Sequence, residues 1–396
     1  MKLNRPLTLL GLLAAGVLAA CTTQDIVATH QCTAPTTPGA CEVEQAGYCV
    51  GYGPPAELKN GAGATSCGDG GLLAARSFQN ALCLCGNYLN TDFLTTDSFD
   101  HEGPSPVAVN GSLMTQAALQ VGGNLTVADA QGINTGAALT VQGSLRDGGR
   151  LGVATGQVTV LGDAQVGQNI DLASLQVDGT LTMPDPTQIA VSGTNSVGTI
   201  AQGPVTIAPP CPCTASDALN VAALISAHQQ DNDNAGIALS ADGLVGLRSD
   251  ITLELPCGRY FLNGISGSEN VTLRPTGRVA LFISSGISLM KTFSIEIPIG
   301  SELDLFVNGP FDLSGVPQLG SKDAPSRLRI YVAGTASINM SAGGFLAGNL
   351  YAPSSTLAMS DTVEIFGSLF LQSLSATLPF QIHYDSQSAH ITSSCL

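Results

Sequence analysis

The chain of 396 residues lacks tryptophan, and few of its residues are aromatic (5%) or charged (11%). With 44% apolar residues, it does not have the composition of a disordered acidic tail. Lys and Arg number 14 against 30 Asp and Glu, and the formal charge of −16 argues against nucleic acid as a partner. Glycine is abundant, with 46 residues, which suits many short strands joined by tight turns.

Motifs of catalysis and metal binding are also missing. The chain has no H-E-x-x-H, no phosphate-binding loop, no G-x-G-x-x-G after a strand, and no G-G-x-G-x-D calcium repeat. Gly264-Ile265-Ser266-Gly267 lacks the final glycine of a nucleophile elbow. The histidines are not placed with the cysteines, whose local spacing is C-x-C. We therefore expect no catalytic residue, no metal site and no cofactor.

The first twenty residues have the features of a targeting segment. Lys2 and Arg5 precede an apolar run from Leu7 to Leu18, which is too short for a comfortable membrane span. The run ends in Leu18-Ala19-Ala20-Cys21, which resembles a bacterial lipoprotein signal peptide with Cys21 as the acylated residue. A plain secretory peptide or a short anchor is the alternative. Because Thr22 and not Asp follows the cysteine, the resemblance favours the outer membrane, with a tether over residues 21–38.

Ten cysteines remain when Cys21 is set aside, an even number that suggests disulfides in an exported chain. They fall into an amino-terminal set and a later set, and we expect each set to pair internally. The amino-terminal set is Cys32, Cys41, Cys49, Cys67, Cys83 and Cys85, and the later set is Cys211, Cys213, Cys257 and Cys395. Residues 39–100 would then form a small cysteine-rich unit with one helix from Gly71 to Leu84.

A short pattern recurs between residues 107 and 372: apolar residues alternate with other residues, and a glycine stands in the place of one apolar residue. Examples are Leu119-x-Val121-x-Gly123-x-Leu125, Leu139-x-Val141-x-Gly143-x-Leu145, Leu305-x-Val307-x-Gly309-x-Phe311 and Val363-x-Ile365-x-Gly367-x-Leu369. The glycine keeps the parity of the apolar residues, so in a strand it would face the interior and leave room for a tight bend. The spacing of about 20 residues predicts an all-β fold, a parallel β-solenoid, rather than an antiparallel sandwich.

The repeat divides the chain into two runs around an insert. The first run covers residues 101–208, with glycines at Gly111, Gly123, Gly143, Gly162, Gly179 and Gly203. The second run covers 251–390, with Gly309, Gly334, Gly348 and Gly367, and Ser285 in the equivalent place. The insert, 209–250, begins with a Pro-Cys turn and predicts a helix over roughly Asp217–Gln229, capped by Thr214 or Ser216. The cysteine-rich unit and this helix are candidates to cap the ends of the solenoid.

Outward-facing positions carry the candidate site residues. Counting three residues back from the glycine position gives an aromatic column of Phe282, Phe306, Tyr331 and Phe345 in the second run. Two interpretations are open: another part of the chain packs over the column, or the rings stack on a sugar or a partner. Glu302 and Asp304 also point outward, on either side of Leu303, and we interpret them as a solvated charged edge rather than a catalytic pair.

Several stretches of the second run resemble a family of bacterial β-solenoid domains of unknown function. The stretches are Leu255–Phe261, Tyr331–Gly334, Phe345–Pro353, Ile365–Phe370 and Ile382–Asp385. The family occurs in exported lipoproteins and in proteins associated with pilus assembly, and it is more loosely similar to polymer-forming bactofilin-type solenoids. Over residues 250–386 the resemblance implies a parallel β-solenoid and no known catalytic residue. We interpret His383 and Asp385 as part of a hydrogen-bonded turn that ends the run, not as an acid–base pair.

The leading hypothesis is a non-enzymatic cell-envelope protein, attached to the membrane through lipid on Cys21, whose rigid rod serves adhesion or surface assembly. The second is a carbohydrate-binding module that uses the aromatic column. The third is a polysaccharide-cleaving β-helix enzyme. An envelope polysaccharide or protein is the expected partner, and the sequence leaves self-association open.

Overall fold

The computed structural model describes residues 77–99, 103–214 and 217–387. Within these ranges the chain forms 33 β-strands, one α-helix and short 3₁₀ turns. The targeting segment, Cys21, the tether, Cys32, Cys41, Cys49, Cys67 and Cys395 lie outside the described residues, so the predictions for them stay predictions.

The strands are short and follow one another closely along the chain. The first three are β1 (Leu82–Leu84), β2 (Tyr88–Asn90) and β3 (Leu94–Ser98). The first run contains β4 (Val107–Val109), β5 (Leu113–Thr115), β6 (Leu119–Val121), β7 (Leu125–Val127), β8 (Ile133–Thr135), β9 (Ala138–Val141), β10 (Leu145–Asp147), β11 (Gln157–Val160), β12 (Ala164–Val166), β13 (Ile170–Leu172), β14 (Ser174–Met183), β15 (Ile189–Val191) and β16 (Asn195–Gln202).

The helix α1 (Val221–His228) separates the first run from the second. The second run contains β17 (Ile251–Leu255), β18 (Gly258–Leu262), β19 (Ile265–Gly267), β20 (Val271–Pro275), β21 (Arg278–Ile283), β22 (Ile287–Leu289), β23 (Phe293–Ile295), β24 (Glu302–Asn308), β25 (Phe311–Leu313), β26 (Pro317–Gly320), β27 (Leu328–Ala333), β28 (Ile338–Met340), β29 (Gly344–Ala347), β30 (Asn349–Met359), β31 (Val363–Phe366), β32 (Leu369–Ala376) and β33 (Phe380–Tyr384).

All these strands pair in parallel and build three faces around one apolar core, which confirms the parallel β-solenoid. Sheet 1 stacks β18, β21, β24, β27, β30, β32, β1, β4, β7, β10, β12, β14 and β16 in that order. Sheet 3 stacks β17, β20, β23, β26, β29, β31, β33, β3, β6, β9, β11, β14 and β16. Sheet 2 holds the remaining strands, among them β19, β22, β25 and β28 of the second run.

The order of the coils in the stack differs from their order in the chain. Strand β1 pairs with β32 on one side and with β4 on the other, and β3 lies between β33 and β6. The coil of residues 82–98 therefore joins the end of the second run to the start of the first, so that the two runs form one rod. Residues 82–98, predicted to belong to a separate cysteine-rich unit, are instead a coil of the solenoid.

The segment from 203 to 250, here called the connector, leads from one end of the rod back to the other. It leaves β16, which ends the stack, and enters β17, which begins it at the opposite end. Its helix α1 packs along sheet 1, against β18, β21, β24 and β27. The prediction that the helix and the cysteine-rich unit cap the ends of the rod is wrong for the helix, which covers a side of the rod instead.

The glycines of the first run stack above one another at the corner between sheets 3 and 1. The amide of Gly143 donates to the carbonyl oxygen of Gly123 (2.9 Å), Gly162 to Gly143 (3.0 Å) and Gly179 to Gly162 (3.2 Å). A Cβ on Gly143 would lie 2.8 Å from the carbonyl carbon of Gly123, so a side chain there would separate the coils. The predicted tight bend is confirmed for these glycines, but Gly111 lies at another corner, where its amide donates to Gly86 (3.2 Å), and Gly198 and not Gly203 stacks next on Gly179.

The insert helix is confirmed with shorter bounds and a different cap. The side chain of Asn220 accepts a hydrogen bond from the amide of Ala223 (3.0 Å), so Asn220 is the N-cap and not Thr214 or Ser216. After the helix, the side-chain oxygen of Asn232 accepts a hydrogen bond from the amide of Asn234 (3.2 Å) and forms an Asx turn, while its NH₂ group donates to the carbonyl oxygen of His228 (3.0 Å). The predicted helix from Gly71 to Leu84 is wrong at its carboxyl end, where residues 82–84 are strand β1.

Candidate functional site

Sheet 1 carries a ladder of aromatic side chains on its outer face. Parallel register makes each ring the neighbour of the next, in the order Phe261, Phe282, Phe306, Tyr331, Tyr351 and Phe370. The ring centroids of Phe282 and Phe306 are 4.9 Å apart, and those of Phe306 and Tyr331 are 4.8 Å apart, and the rings of each pair are nearly parallel. These are stacking distances, set by the spacing of neighbouring strands.

Three of the four rings predicted for the aromatic column lie on this ladder, and the fourth does not. Phe345 is half-buried in β29 on sheet 3, where the ammonium group of Lys322 lies 4.8 Å from its ring centroid. The error arose because glycines mark two different corners: Gly309 and Gly334 follow strands of sheet 1, but Gly348 follows a strand of sheet 3. The counting rule therefore mixed two faces, and it missed Phe261, Tyr351 and Phe370.

The aromatic ladder is covered by the connector. The buried residues of α1 are Val221, Leu224, Ile225 and His228, and the first three join the same apolar cluster as the ladder. The His228 ring stacks on Phe282 with centroids 4.2 Å apart, and the amide of Leu219 donates to the hydroxyl of Tyr351 (2.9 Å). Phe282, Phe306 and Tyr331 are each 0% exposed. Rings buried in this way cannot stack on a sugar, so the binding interpretation of the column is wrong and the packing interpretation is confirmed.

Two disulfides fasten the connector where the ladder ends. Cys83 in β1 is the register partner of Phe370, the last ring of the ladder, and is bonded to Cys211. Cys85 is bonded to Cys213. Cys257 is disulfide-bonded as well. Both defined bonds join a cysteine of the amino-terminal set to one of the later set. The prediction that each set pairs internally is therefore wrong, because the fold brings the connector alongside the first coil.

A cluster of ion pairs lies beside the ladder on the same face. Arg329 in β27 donates from Nε to Asp304 Oδ1 (2.6 Å) and from Nη2 to Glu302 Oε2 (2.7 Å). The side chains are at most 3% exposed, so the predicted solvated edge is wrong. Burial by itself would lower the pKa of the Arg329 guanidinium group, but the negative charges of Asp304 and Glu302 have the larger effect and raise this pKa. Both carboxylates are thus engaged in a structural cluster.

The first run contains one carboxyl group inside its apolar core. Asp147 ends β10 facing inward, between Val127 and Val166 of the neighbouring coils, and is 0% exposed. Its Oδ1 accepts a hydrogen bond from the amide of Gly149 (3.0 Å), while Oδ2 has no hydrogen-bond partner among the described residues. Burial raises the pKa of Asp147 to about 7, an effect that the hydrogen bond from Gly149 opposes.

The two polar residues considered as an acid–base pair lie at the end of the second run, His383 in β33 and Asp385 directly after it. His383 Nδ1 lies 2.6 Å from Oδ1 of Asp97, its neighbour in β3, and the imidazole stacks on Phe366. Asp385 accepts hydrogen bonds from the amides of Ser326 (3.1 Å) and Gln387 (2.9 Å). The predicted turn is confirmed for Asp385, whereas His383 pairs across the junction of the two runs.

A surface depression of about 560 Å³ is lined partly by the connector and is rich in amide side chains. Much of its polar lining is already bonded within the protein. Asn234 exchanges two hydrogen bonds with the backbone of Phe261, and Asn263 donates to Asp242. In residues 77–99, 103–214 and 217–387 no group of three or more His, Cys, Asp or Glu is arranged to hold a metal ion. The same residues include no helix long and apolar enough to cross a membrane.

Comparison with known proteins finds similarity in the second half of the chain. No curated protein and no solved structure is significantly similar to the chain. Residues 212–391, which include α1 and the whole second run, match the model of a family described as a domain of unknown function (DUF7305).

Proposed function

We propose that the chain is a non-enzymatic cell-envelope protein, anchored in the outer membrane through lipid on Cys21, whose solenoid is a rigid scaffold for adhesion or surface assembly. The observation that carries this proposal is that the aromatic ladder and the ion-pair cluster are buried and stabilise the rod. Arg329 and the rings of Phe306 and Tyr331 are buried, so their chemistry stabilises the scaffold and is not offered to a ligand.

The displayed surface of the first run supports the same role. On sheet 3 the outward side chains of its successive coils are Gln120, Thr140, Thr159 and Gln176, in register along the rod. Because these side chains are uncharged and can donate and accept hydrogen bonds, they form a long polar face of the kind that adhesion or assembly requires. The polysaccharide or protein that such a face contacts is the proposed partner.

The place where the amino-terminal segment enters the rod fits a tethered scaffold. Strand β1 lies between β32 and β4, so the chain that leads from Cys21 meets the rod between its ends. Lipid on Cys21 would then hold the rod by its middle and leave both ends away from the point of attachment. A single acyl chain binds a membrane only marginally, so the proposal calls for more than one.

Metabolic labelling with a palmitate analogue in a bacterial host tests the anchor. We expect label and membrane association for the natural chain and for Thr22→Ser, and neither for Cys21→Ser. Density-gradient separation of inner and outer membranes then locates the labelled protein. Unlabelled natural protein, or Cys21→Ser protein that stays in the membrane, would show that the anchor is wrong. Release of reducing ends from envelope polysaccharides by the purified protein would contradict the non-enzymatic assignment.

A further inference from the structure

The end of the rod formed by β15 and β16 leaves its apolar core open. Ile200 in β16 stacks on Leu181, which faces inward and is 0% exposed, yet Ile200 itself is 48% exposed. Ile189, Val191 and Val197 pack on the core but are only partly buried. These inward positions are exposed because no further coil stacks on them in the part of the chain that the structure describes.

The strand edge at this end is also unoccupied. Among the described residues, β16 pairs only with β14, and β15 only with β13, so one edge of each strand has no backbone partner. Proteins usually protect such an edge with charged residues or proline. The sequence of β16, from Asn195 to Gln202, contains neither. An exposed apolar patch beside an uncharged open edge is the combination that accepts further strands.

The opposite end of the rod has a different character. There the connector packs Leu239, Leu244 and Leu247 on the core, and Leu244 is 1% exposed. Charged residues stand at that end, with Glu254 in β17 and Asp250 immediately before it. That end is only partly covered, since Ile251 and Leu253 of β17 stay partly exposed, but its charged residues do not complement the uncharged strands β15 and β16, which argues against head-to-tail stacking of copies.

We propose that the β16 end binds the β16 end of a second copy of this chain and forms a closed dimer. A two-fold axis perpendicular to the rod would set the strands of the two copies antiparallel and bury Ile200, Val197 and Val191 between them. Strands β15 and β16 carry no charged side chain, so two acidic chains can pair along these strands without like charges between them. This inference deepens the proposed scaffold function and rests on it, since it names the partner through which assembly begins.

The mass of the full chain purified in detergent, measured by sedimentation over a range of concentrations, tests the dimer. We expect a concentration-dependent dimer for the natural chain and a monomer for Ile200→Lys, which places a charge in the buried patch. Leu161→Lys is the matched control, because Leu161 is also 48% exposed but lies away from the end. It should dimerise as the natural chain does, with less than a twofold change in dissociation constant.

The results of the dimer experiment can be distinguished from those of the labelling experiment that tests the lipid anchor. Because Cys21→Ser lacks the anchor, we expect it to dimerise as well, so that loss of labelling and loss of self-association are distinct results. If Ile200→Lys does not fold, Ser196→Glu combined with Ala201→Glu leaves the core intact and still sets like charges against each other across the contact. A monomeric natural chain at about 100 μM, or charge variants that remain dimeric, would overturn the proposal.

Discussion

Cys83 and Cys211 are 128 residues apart in the chain but are joined by a disulfide, with their Cα atoms 5.9 Å apart. Cys85 and Cys213, with the same separation, form a second bond beside it. The two bonds hold the connector against the coil that links the two runs. The continuity of the rod and the path of the connector are therefore fixed at the same place.

Because the two disulfides close nearly the same loop, we expect their contributions to stability to be strongly non-additive. Replacing Cys83 and Cys211 by Ala should lower the free energy of unfolding only slightly, and so should replacing Cys85 and Cys213. Replacing all four should cost about 5 kcal/mol, since only then is the long loop free in the unfolded chain. Chemical denaturation of the three variants measures this, and equal, additive losses would contradict it.

Removal of a ladder ring should destabilise the protein as a core truncation does. Phe306→Ala deletes a ring that is 0% exposed and stacked on both sides, and it should lower the free energy of unfolding by about 3–5 kcal/mol. Phe345→Ala is the matched control, because its ring is only half-buried on sheet 3, and it should cost markedly less. Similar losses for the two variants in urea titrations would argue against the covered ladder.

Breaking the buried ion pairs should cost far more than breaking exposed ones. Arg329→Met leaves Asp304 and Glu302 buried without their main cation, and we expect a loss of about 3–5 kcal/mol. Arg274→Met removes pairs with Glu254 and Glu296 at a side chain that is 46% exposed, and it should change stability by at most about 1 kcal/mol. Thermal and chemical unfolding of both variants provide the comparison.

Asp147 should make the stability fall as the pH rises. Its folded-state pKa of about 7 lies above the usual value of 3.8, so the folded protein holds the proton that the unfolded chain releases between these values. The free energy of unfolding should therefore decrease between pH 4 and pH 7, by at most about 1.4 kcal/mol per pH unit. Asp147→Asn should remove this contribution and be more stable than the natural chain at neutral pH.

The control for this prediction is Asp185→Asn, which alters an exposed carboxyl group outside the core. Unfolding measured at several pH values should give a clearly reduced pH dependence for Asp147→Asn and nearly the natural one for Asp185→Asn. An unchanged slope in Asp147→Asn would mean that Asp147 is ionised in the folded protein at neutral pH.

The sequence alone predicts the coiled strands well, because alternation and glycine parity are local signals. Leu119 and Val121 face inward as the pattern predicts, Gly123 packs closely on the backbone of the neighbouring coil, and α1 lies within the predicted helix. The order of the coils is a different matter. The pairing of Leu82 with Leu369 depends on which coil stacks on which. Because the coils resemble one another, their strand edges are nearly the same. No local pattern distinguishes them.

For the aromatic ladder, too, the sequence predicts the local geometry but not the tertiary contacts. The alternation of side chains along a strand correctly places Phe306 and Tyr331 on the outer face, since this alternation depends only on strand geometry. Whether an outer face meets solvent depends on the path of the connector, which is a tertiary contact. The sequence predicted a solvated edge at Asp304 and Glu302 for the same reason. Outward-facing aromatic and charged residues in one strand were the available signal that a second layer covers this sheet.

In the rod, the coil of β1–β3 lies between the end of the second run and the start of the first. Thr95 and Gln381 are register partners on the outer face, although they are 286 residues apart, and Gln120 is the partner of Thr95 on the other side. Neighbouring strands hold Cα atoms within the range of a disulfide, whereas Gln120 and Gln381 lie two strand spacings apart.

Oxidation of the variant Thr95→Cys/Gln381→Cys, followed by mass spectrometry of its cross-linked peptides, tests this placement directly. We expect an intramolecular link in Thr95→Cys/Gln381→Cys and none in Gln120→Cys/Gln381→Cys. A link between positions 120 and 381, or no link between 95 and 381 in the folded chain, would contradict it.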